Sequence, residues 1–127
     1  MKELIAKAKG ASKNAYAPYS GFKVGAALLT KEGKIFTGCN VENSSYGLTM
    51  CAERTAIFKA VSEGYKNFSE MVIYVDSDIL FTPCGACRQV ISEFSNNLKI
   101  TIISNKEKFE TNIKELLPYS FDLKGKK

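Results

Sequence analysis

Three cysteines and one glutamate are the residues of this chain whose types and spacing best suit chemistry. Residues 51–53 read Cys-Ala-Glu, and residues 83–87 read Pro-Cys-Gly-Ala-Cys. A Cys-x-x-Cys pair alone is as typical of a structural half-site or a redox pair as of catalysis. Three thiolates together leave one position of a tetrahedral zinc ion open, and an open position distinguishes catalytic from structural zinc. The two segments together therefore predict a catalytic zinc ion bound by Cys51, Cys84 and Cys87.

Glu53 lies two residues after Cys51, which is too close for both to bind one metal from a single helical turn. It is near enough to reach a water on that metal. A His-or-Cys, x, Glu segment followed by Pro-Cys-x-x-Cys is the pattern of zinc deaminases, in which the glutamate transfers protons and is not a ligand. We therefore predict that zinc lowers the pKa of its water, that Glu53 accepts the proton, and that the hydroxide attacks C4 of a cytosine. Glu53 would then donate protons to N3 and to the departing amino group.

Arg54 follows the glutamate and is a candidate donor to the metal-binding sulfurs. From its position alone, a surface arginine at the start of a helix is nearly as good an interpretation. Helix starts suit this chemistry, because their partial positive charge and unpaired N–H groups stabilise thiolates.

Hydrophobic periodicity indicates the elements that must position these residues. Helices are predicted over residues 2–15 and 51–63 and from Cys84 onward, with a last helical turn over 113–117 that Pro118 ends. Strands are predicted over residues 22–28, 35–39, 71–75 and 100–103 and near Phe109, the first two forming a hairpin. A hairpin followed by alternating helices and buried strands predicts an α/β fold, with three α/β/α layers around a mixed five-stranded sheet. In such sheets the loops after the strands and the helix N-termini form the site, which is where both cysteine segments fall.

Composition narrows the class of protein further. The 127 residues predict a single domain, 1–127, and the absence of histidine excludes a Ser-His-Asp triad and any zinc site that needs imidazole. The chain shows neither a signal-peptide pattern nor an apolar run of membrane-spanning length, so we expect a cytoplasmic protein without a membrane partner. In that compartment four cysteines are thiols or metal ligands rather than disulfides. The net charge of +5 comes from dispersed lysines, with one cluster at 124, 126 and 127, and does not predict a nucleic-acid partner.

Five segments carry a resemblance to a known family. They are Phe22-Lys23-Val24-Gly25-Ala26-Ala27, Gly38-Cys39-Asn40-Val41-Glu42-Asn43, Cys51-Ala52-Glu53-Arg54, Pro83-Cys84-Gly85-Ala86-Cys87-Arg88-Gln89, and Leu116-Leu117-Pro118 followed by an aromatic residue. In this order they are similar to the first strand, the ribose loop, the two metal motifs and the C-terminal signature of the small homotetrameric cytidine deaminases. The resemblance implies one zinc ion per chain and hydrolytic deamination of free cytidine and deoxycytidine to uridine and deoxyuridine, with release of ammonia, as in pyrimidine salvage.

The resemblance also implies roles for residues around the metal. Asn40 and Glu42 would bind the ribose hydroxyls, Phe22 would pack on the nucleoside, the backbone around Ala52 would read the base edge, and Tyr46 and Phe121 would serve the site of a neighbouring subunit. Without the resemblance, each of these residues has an ordinary structural interpretation. Phe22 would be a core strand residue, Phe121 a packing anchor, and the others residues of a solvated loop.

Three alternatives remain open from the sequence. Cys39 could join the other three cysteines in a closed structural Cys₄ zinc site with no position for water. A nucleic-acid editing deaminase shares the metal motif, although it needs a basic groove to follow a strand. A deaminase of a nucleoside antibiotic, such as blasticidin, is the third, and Glu42 after Asn40 favours a ribose over that sugar.

Overall fold

The structure, a computed structural model, describes residues 2–123. The described elements, in chain order, are α1 (Lys2–Ser12), β1 (Val24–Thr30), β2 (Ile35–Cys39), α2 (Ala52–Ser62), β3 (Phe68–Val75), α3 (Gly85–Phe94), β4 (Lys99–Ile103), β5 (Lys108–Asn112) and α4 (Ile113–Leu116), with a 3-10 turn at Tyr46–Leu48. Each predicted helix and strand is present, with ends that differ by a few residues. Within this range no helix combines the length and the apolar character needed to cross a bilayer. The lysine cluster at 124, 126 and 127 lies outside the described residues.

The five strands form one sheet in the order β2-β1-β3-β4-β5. The β1–β2, β1–β3 and β4–β5 pairs are antiparallel, and the β3–β4 pair is parallel. The β1–β2 pair is the predicted hairpin, and α3 makes the crossover between the parallel strands. The prediction of a mixed five-stranded sheet is therefore confirmed.

Helices cover both faces of the sheet. Alternate strand residues point to opposite faces, so each strand supplies two sets of buried side chains. On one face α1 packs through Leu4 and Ala8 against Ala27, Val72 and Tyr74. On the other face the helices α2, α3 and α4 pack on the sheet, with a core that includes Ala26, Leu28, Ala56, Ile57, Ile73, Ile91, Ile102 and Ile113. This is the predicted α/β/α arrangement.

Two glycines let the helices approach the sheet at backbone distance. A Cβ built on Gly38 of β2 would lie 2.5 Å from the Ala56 nitrogen in α2. A Cβ on Gly25 of β1 would lie 1.9 Å from the Ala8 carbonyl oxygen in α1, on the opposite face. The missing side chain at Gly38 therefore sets how closely α2, with its N-terminal site residues, lies against the sheet.

Candidate active site

The N-termini of α2 and α3 bring three sulfur atoms together. Cys51 is the N-cap of α2, Cys84 is the N-cap of α3, and Cys87 lies in the first turn of α3. Their Sγ atoms all lie within 4.8 Å of one another, with 3.6 Å between Cys51 and Cys84. Sulfurs about 2.3 Å from a tetrahedral zinc ion are about 3.8 Å apart. The donor set therefore fits zinc in both element and spacing.

The surroundings of the sulfurs stabilise negative charge. Arg54 Nη2 donates a hydrogen bond to Cys51 Sγ at 3.5 Å, and the Cys87 backbone N–H donates to Cys84 Sγ at 3.5 Å. Hydrogen bonds from Cys87 and then Arg54 lower the pKa of Cys51 to about 5, against the opposing effect of its partial burial. The pKa of Cys87 is raised in turn, because this thiol donates to Cys51 and is buried. Arg54 Nε is buried without a hydrogen-bond partner among the described residues. The guanidinium therefore has an unused N–H donor close to the cysteine sulfurs.

Cys39 lies on the other side of the sheet from these three cysteines. It pairs with Gly25 across the β1–β2 ladder, and residues directly opposite each other point to the same face. The face of Gly25 is the one covered by α1, because a Cβ there would meet Ala8. Gly38, the neighbour of Cys39, faces α2 instead. The sheet therefore separates Cys39 from the metal-binding group, which disfavours the closed Cys₄ alternative.

Glu53 is buried beside the sulfurs, in the first turn of α2, with 5% of its surface exposed. Burial raises its pKa to about 7. A carboxyl group with a pKa near neutrality can both accept and donate a proton under ordinary conditions. A cation bound at the three sulfurs would favour its ionised form, which is the proton acceptor.

One cavity of about 230 Å³ collects most of the predicted site residues. Its lining includes Cys51, Cys84, Glu53, Ala52, Phe22, Asn40 and Glu42. Ala52 opens α2, where the first backbone N–H groups have no acceptor within the helix and remain available to a ligand. The structure thus joins residues from the starts of β1, α2 and α3 and from the loop after β2.

Tyr46 and Phe121 do not line this cavity. Tyr46 lies in the 3-10 turn and is 89% exposed, and Phe121 is 66% exposed. The Phe121 carbonyl accepts a hydrogen bond from Gln89 Nε2 at 3.0 Å, which ties the C-terminal segment to α3. Both aromatic side chains therefore lie largely exposed on the surface of the chain.

Asn40 is buried, and its amide binds the backbone at the start of β1. Its Oδ1 accepts a hydrogen bond from the Val24 N–H at 2.9 Å, and its Nδ2 donates to the Phe22 carbonyl at 2.8 Å. A side-chain amide has two donors and two acceptor positions, so one of each remains for a ligand. Asn40 therefore orients the segment that carries Phe22 while it lines the cavity.

Glu42 is held by the turn at residues 19–20. Its Oε1 accepts from the backbone N–H groups of Tyr19 at 3.0 Å and Ser20 at 3.1 Å, and its Oε2 accepts from the Ser20 hydroxyl. The hydrogen bond from the Ser20 side chain, with smaller contributions from the backbone, lowers the pKa of Glu42. Glu42 is therefore an ionised, oriented carboxylate at the edge of the cavity.

Sequence reasoning missed several contributors to the site, among them Ser20, Phe81, Thr82 and Arg88. Phe81 and Thr82 line the cavity, and the Phe81 ring meets Phe22 edge-to-face with centroids 4.9 Å apart. Arg88 donates to the carbonyls of Pro83 and Leu116, both at 2.8 Å, and to Thr82 Oγ1 at 2.9 Å, so it holds the loop before α3. Phe81 could have been identified from the sequence, because it is an aromatic residue close to the Pro-Cys-Gly-Ala-Cys motif at residues 83–87.

Comparisons with known proteins show which family this chain resembles in sequence and fold. The family model described as the cytidine and deoxycytidylate deaminase zinc-binding region matches residues 1–103. The chain is 49% identical over 123 residues to a cytidine deaminase of Sporosarcina psychrophila, covering 95% of this chain and 90% of that one. It is 51% identical over 122 residues to a probable cytidine deaminase of Dictyostelium discoideum, covering 95% and 83%. Its fold is similar to the crystal structure of cytidine deaminase from Burkholderia pseudomallei, with a TM-score of 0.90, 47% identity, and coverage of 94% and 98%.

Proposed function

Because the chain belongs to the cytidine and deoxycytidylate deaminase family, we propose that its cavity binds free cytidine and deoxycytidine and hydrolyses them to uridine and deoxyuridine. The chain is a zinc-dependent hydrolase of this family, and its substrate is a nucleoside. One observation carries the assignment of the site. Cys51, Cys84 and the buried Glu53 line a single cavity with an aromatic ring and an ionised carboxylate, and the sulfur of Cys87 lies within 4.8 Å of the other two sulfurs.

We assign the metal to Cys51, Cys84 and Cys87, where zinc would supply a Lewis acid that makes a water more acidic. Glu53 is buried within reach of the same cavity, so it accepts the proton of the attacking water. The same carboxyl group then donates that proton to N3 of the base, accepts the remaining proton of the hydroxyl group now bonded to C4, and donates it to the amino group as the C4–N bond breaks and ammonia leaves. Arg54 stabilises the anionic sulfurs through its contact with Cys51.

The sugar is assigned to the Glu42 side of the cavity. An ionised carboxylate and the free positions of a buried amide suit hydroxyl donors, as both a ribose and a deoxyribose offer. Phe22, supported by Phe81, supplies an apolar wall for the planar base. Such a site favours a free nucleoside over the antibiotic blasticidin, and the dispersed lysines offer no strand-binding groove for an editing enzyme.

The same proposal includes a homotetramer in which subunits share active sites. The cavity of one chain, about 230 Å³, is below the roughly 300–1,000 Å³ usual for ligand sites. Tyr46 and Phe121 are exposed aromatic residues, and Leu48, in the same 3-10 turn as Tyr46, is 67% exposed. Exposed apolar side chains of this kind are typical of interfaces. Free thiols at all four cysteines suit a cytoplasmic location, where they stay reduced.

The experiment compares the parent chain with Glu53→Gln and Cys39→Ser. Zinc per chain is measured by mass spectrometry, and conversion of cytidine to uridine is followed by absorbance. We expect one zinc per chain in all three proteins, loss of activity by a factor of about 10³ or more in Glu53→Gln because its proton transfer is removed, and near-parent activity in Cys39→Ser.

Two results would contradict the proposal. A Glu53→Gln chain that retains zinc and full activity would remove the carboxyl group from the mechanism. Loss of zinc in Cys39→Ser, together with a parent that leaves every cytosine nucleoside unchanged, would favour the structural zinc site instead.

A further inference from the structure

We propose that Ser20 is a positioning residue, which orients the Glu42 carboxylate toward the sugar hydroxyls of the nucleoside. This inference rests on the proposed function and extends it to a residue outside the metal and proton-transfer groups. Ser20 and Glu42 line the same cavity, although Glu42 comes 22 residues after Ser20 in the chain.

The Ser20 hydroxyl has a defined direction because both of its hydrogen-bonding roles are occupied. Its oxygen accepts a hydrogen bond from the Phe22 backbone N–H at 3.0 Å, and its proton is donated to Glu42 Oε2. A serine hydroxyl has one proton, and an ionised carboxylate can only accept. The hydroxyl therefore links Phe22, on the base side of the cavity, to Glu42, on the sugar side.

Ser20 also controls a carboxylate oxygen that nothing else holds among the described residues. The backbone N–H groups of Tyr19 and Ser20 both bind Oε1 of Glu42, whereas Oε2 receives only the Ser20 hydroxyl. If only Oε1 were held, rotations about the side-chain bonds of Glu42 could still move Oε2. The second contact fixes its plane, and charge-assisted hydrogen bonds of this kind are the stronger ones. Gly21 follows with φ of 75°, a left-handed conformation that returns the chain to Phe22.

The segment around Ser20 is docked by contacts that do not involve its hydroxyl. The Tyr16 N–H donates to the Asn40 carbonyl at 3.0 Å, and the Glu42 N–H donates to the Tyr16 carbonyl at 2.8 Å. The hydroxyl groups of Tyr19 and Ser44 also hydrogen-bond to each other. Removing the Ser20 hydroxyl should therefore leave the loop in place and change only the carboxylate and its link to Phe22.

The test compares Ser20→Ala with Ser45→Ala, which removes a hydroxyl from the facing loop at an exposed position whose side chain makes no capping hydrogen bond. Each variant and the parent are assayed, as zinc-loaded proteins, with cytidine and with 2′,3′-dideoxycytidine, which lacks the 2′ and 3′ hydroxyls and keeps the 5′ hydroxyl. We expect Ser20→Ala to raise KM for cytidine about tenfold, equivalent to about 1.4 kcal/mol, with kcat changed less than threefold. With dideoxycytidine the Ser20→Ala substitution should change KM less than twofold, and the Ser45→Ala control should change KM little with either substrate.

A second cycle tests whether Ser20 acts through Glu42. In a Glu42→Gln background, Ser20→Ala should have less than a twofold further effect, because the carboxylate it orients is gone. Ser20→Thr, which keeps the hydroxyl, should recover most of the KM for cytidine. Circular dichroism and zinc content confirm that each variant is folded and loaded.

Equal losses for Ser20→Ala with both substrates, or the same loss in the Glu42→Gln background, would overturn the proposal and leave Ser20 a loop residue. So would unchanged kinetics with cytidine in Ser20→Ala. If the parent chain converts no cytosine nucleoside at all, the proposed function fails as well, and that result is distinct because it appears before any variant is made.

Discussion

Gly38→Ala should damage the site from a distance by moving the helix that carries it. The new Cβ would lie 2.5 Å from the Ala56 nitrogen and 2.6 Å from the Ala52 carbonyl oxygen, about 0.9 Å closer than the 3.4 Å at which ordinary contact begins. Both atoms belong to the α2 backbone, which cannot rotate aside as a side chain can. We therefore expect a cost near the upper end for overpacking, about 3 kcal/mol, and a fall in Tm of roughly 10 °C.

Relief of this contact displaces the start of α2 by close to 1 Å. That end of the helix carries Cys51 and Glu53, and a 1 Å misplacement can reduce catalysis by about 100-fold. Gly25→Ala is the matched control, because its Cβ would meet Ala8 at 1.9 Å on the α1 face, away from the metal ligands. Gly10→Ala controls for the substitution itself, since nothing lies within 4 Å of its Cβ and alanine in a helix is favoured by about 0.5–1 kcal/mol.

The assay is thermal unfolding at fixed protein and zinc concentrations, with kcat for cytidine and zinc per folded chain measured well below every transition. We expect Gly38→Ala and Gly25→Ala to be destabilised and Gly10→Ala to be slightly stabilised. Only Gly38→Ala should lose activity per folded chain. Parent-like stability in Gly38→Ala would refute the close approach of α2 to β2, and equal loss of specific activity in both destabilised variants would refute the separation of the two faces.

The remaining predictions concern the metal and the subunits. Arg54→Met should weaken zinc affinity about 10- to 100-fold, as measured by competition with a chelator, because the positive charge beside Cys51 is lost. Arg54→Lys should recover only part of the affinity, since an ammonium group lacks the planar arrangement of donors of a guanidinium. An unchanged zinc affinity in Arg54→Met would contradict the role assigned to Arg54. Two inactive variants, Glu53→Gln and the double variant Tyr46→Ala with Phe121→Ala, should regain activity when refolded together, because some mixed sites then combine an intact Glu53 with intact aromatic residues from a neighbour. Mixtures that light scattering shows to be mixed oligomers, yet that stay inactive, would argue against shared sites.

Much of the fold followed from local patterns. Strand alternation and helical spacing predict every described α-helix and β-strand, and the pattern predicts β2 at residues 35–39, where the structure has it. Boundaries were displaced where packing and turns decide them, as in α1, which ends at Ser12 with turns that run on to Ala15. The 3-10 turn at Tyr46–Leu48 was missed because a single turn has no periodicity to detect.

The residues proposed for the metal and the proton were predictable for the same reason. Cys51 and Glu53 lie within one helical turn, as do Cys84 and Cys87, so their spacing alone limits the chemistry that they can perform. The zinc-binding character of the family agrees with that inference. Their individual roles stay predictions until the variants are measured.

Local sequence patterns therefore predict the three sulfurs and the carboxyl group of the site, together with the helices and strands that position them. Tertiary structure alone decided which distant residues meet: Cys39 was a candidate ligand until the pairing of β2 with β1 turned it toward α1. The folded chain also brings Ser20, before β1, against Glu42, and Phe81, before α3, against Phe22. The physical reason is that spacing along the chain encodes contacts only within a turn or a strand. Contacts between distant segments depend on strand register and on the closeness of packing, which the whole chain sets together.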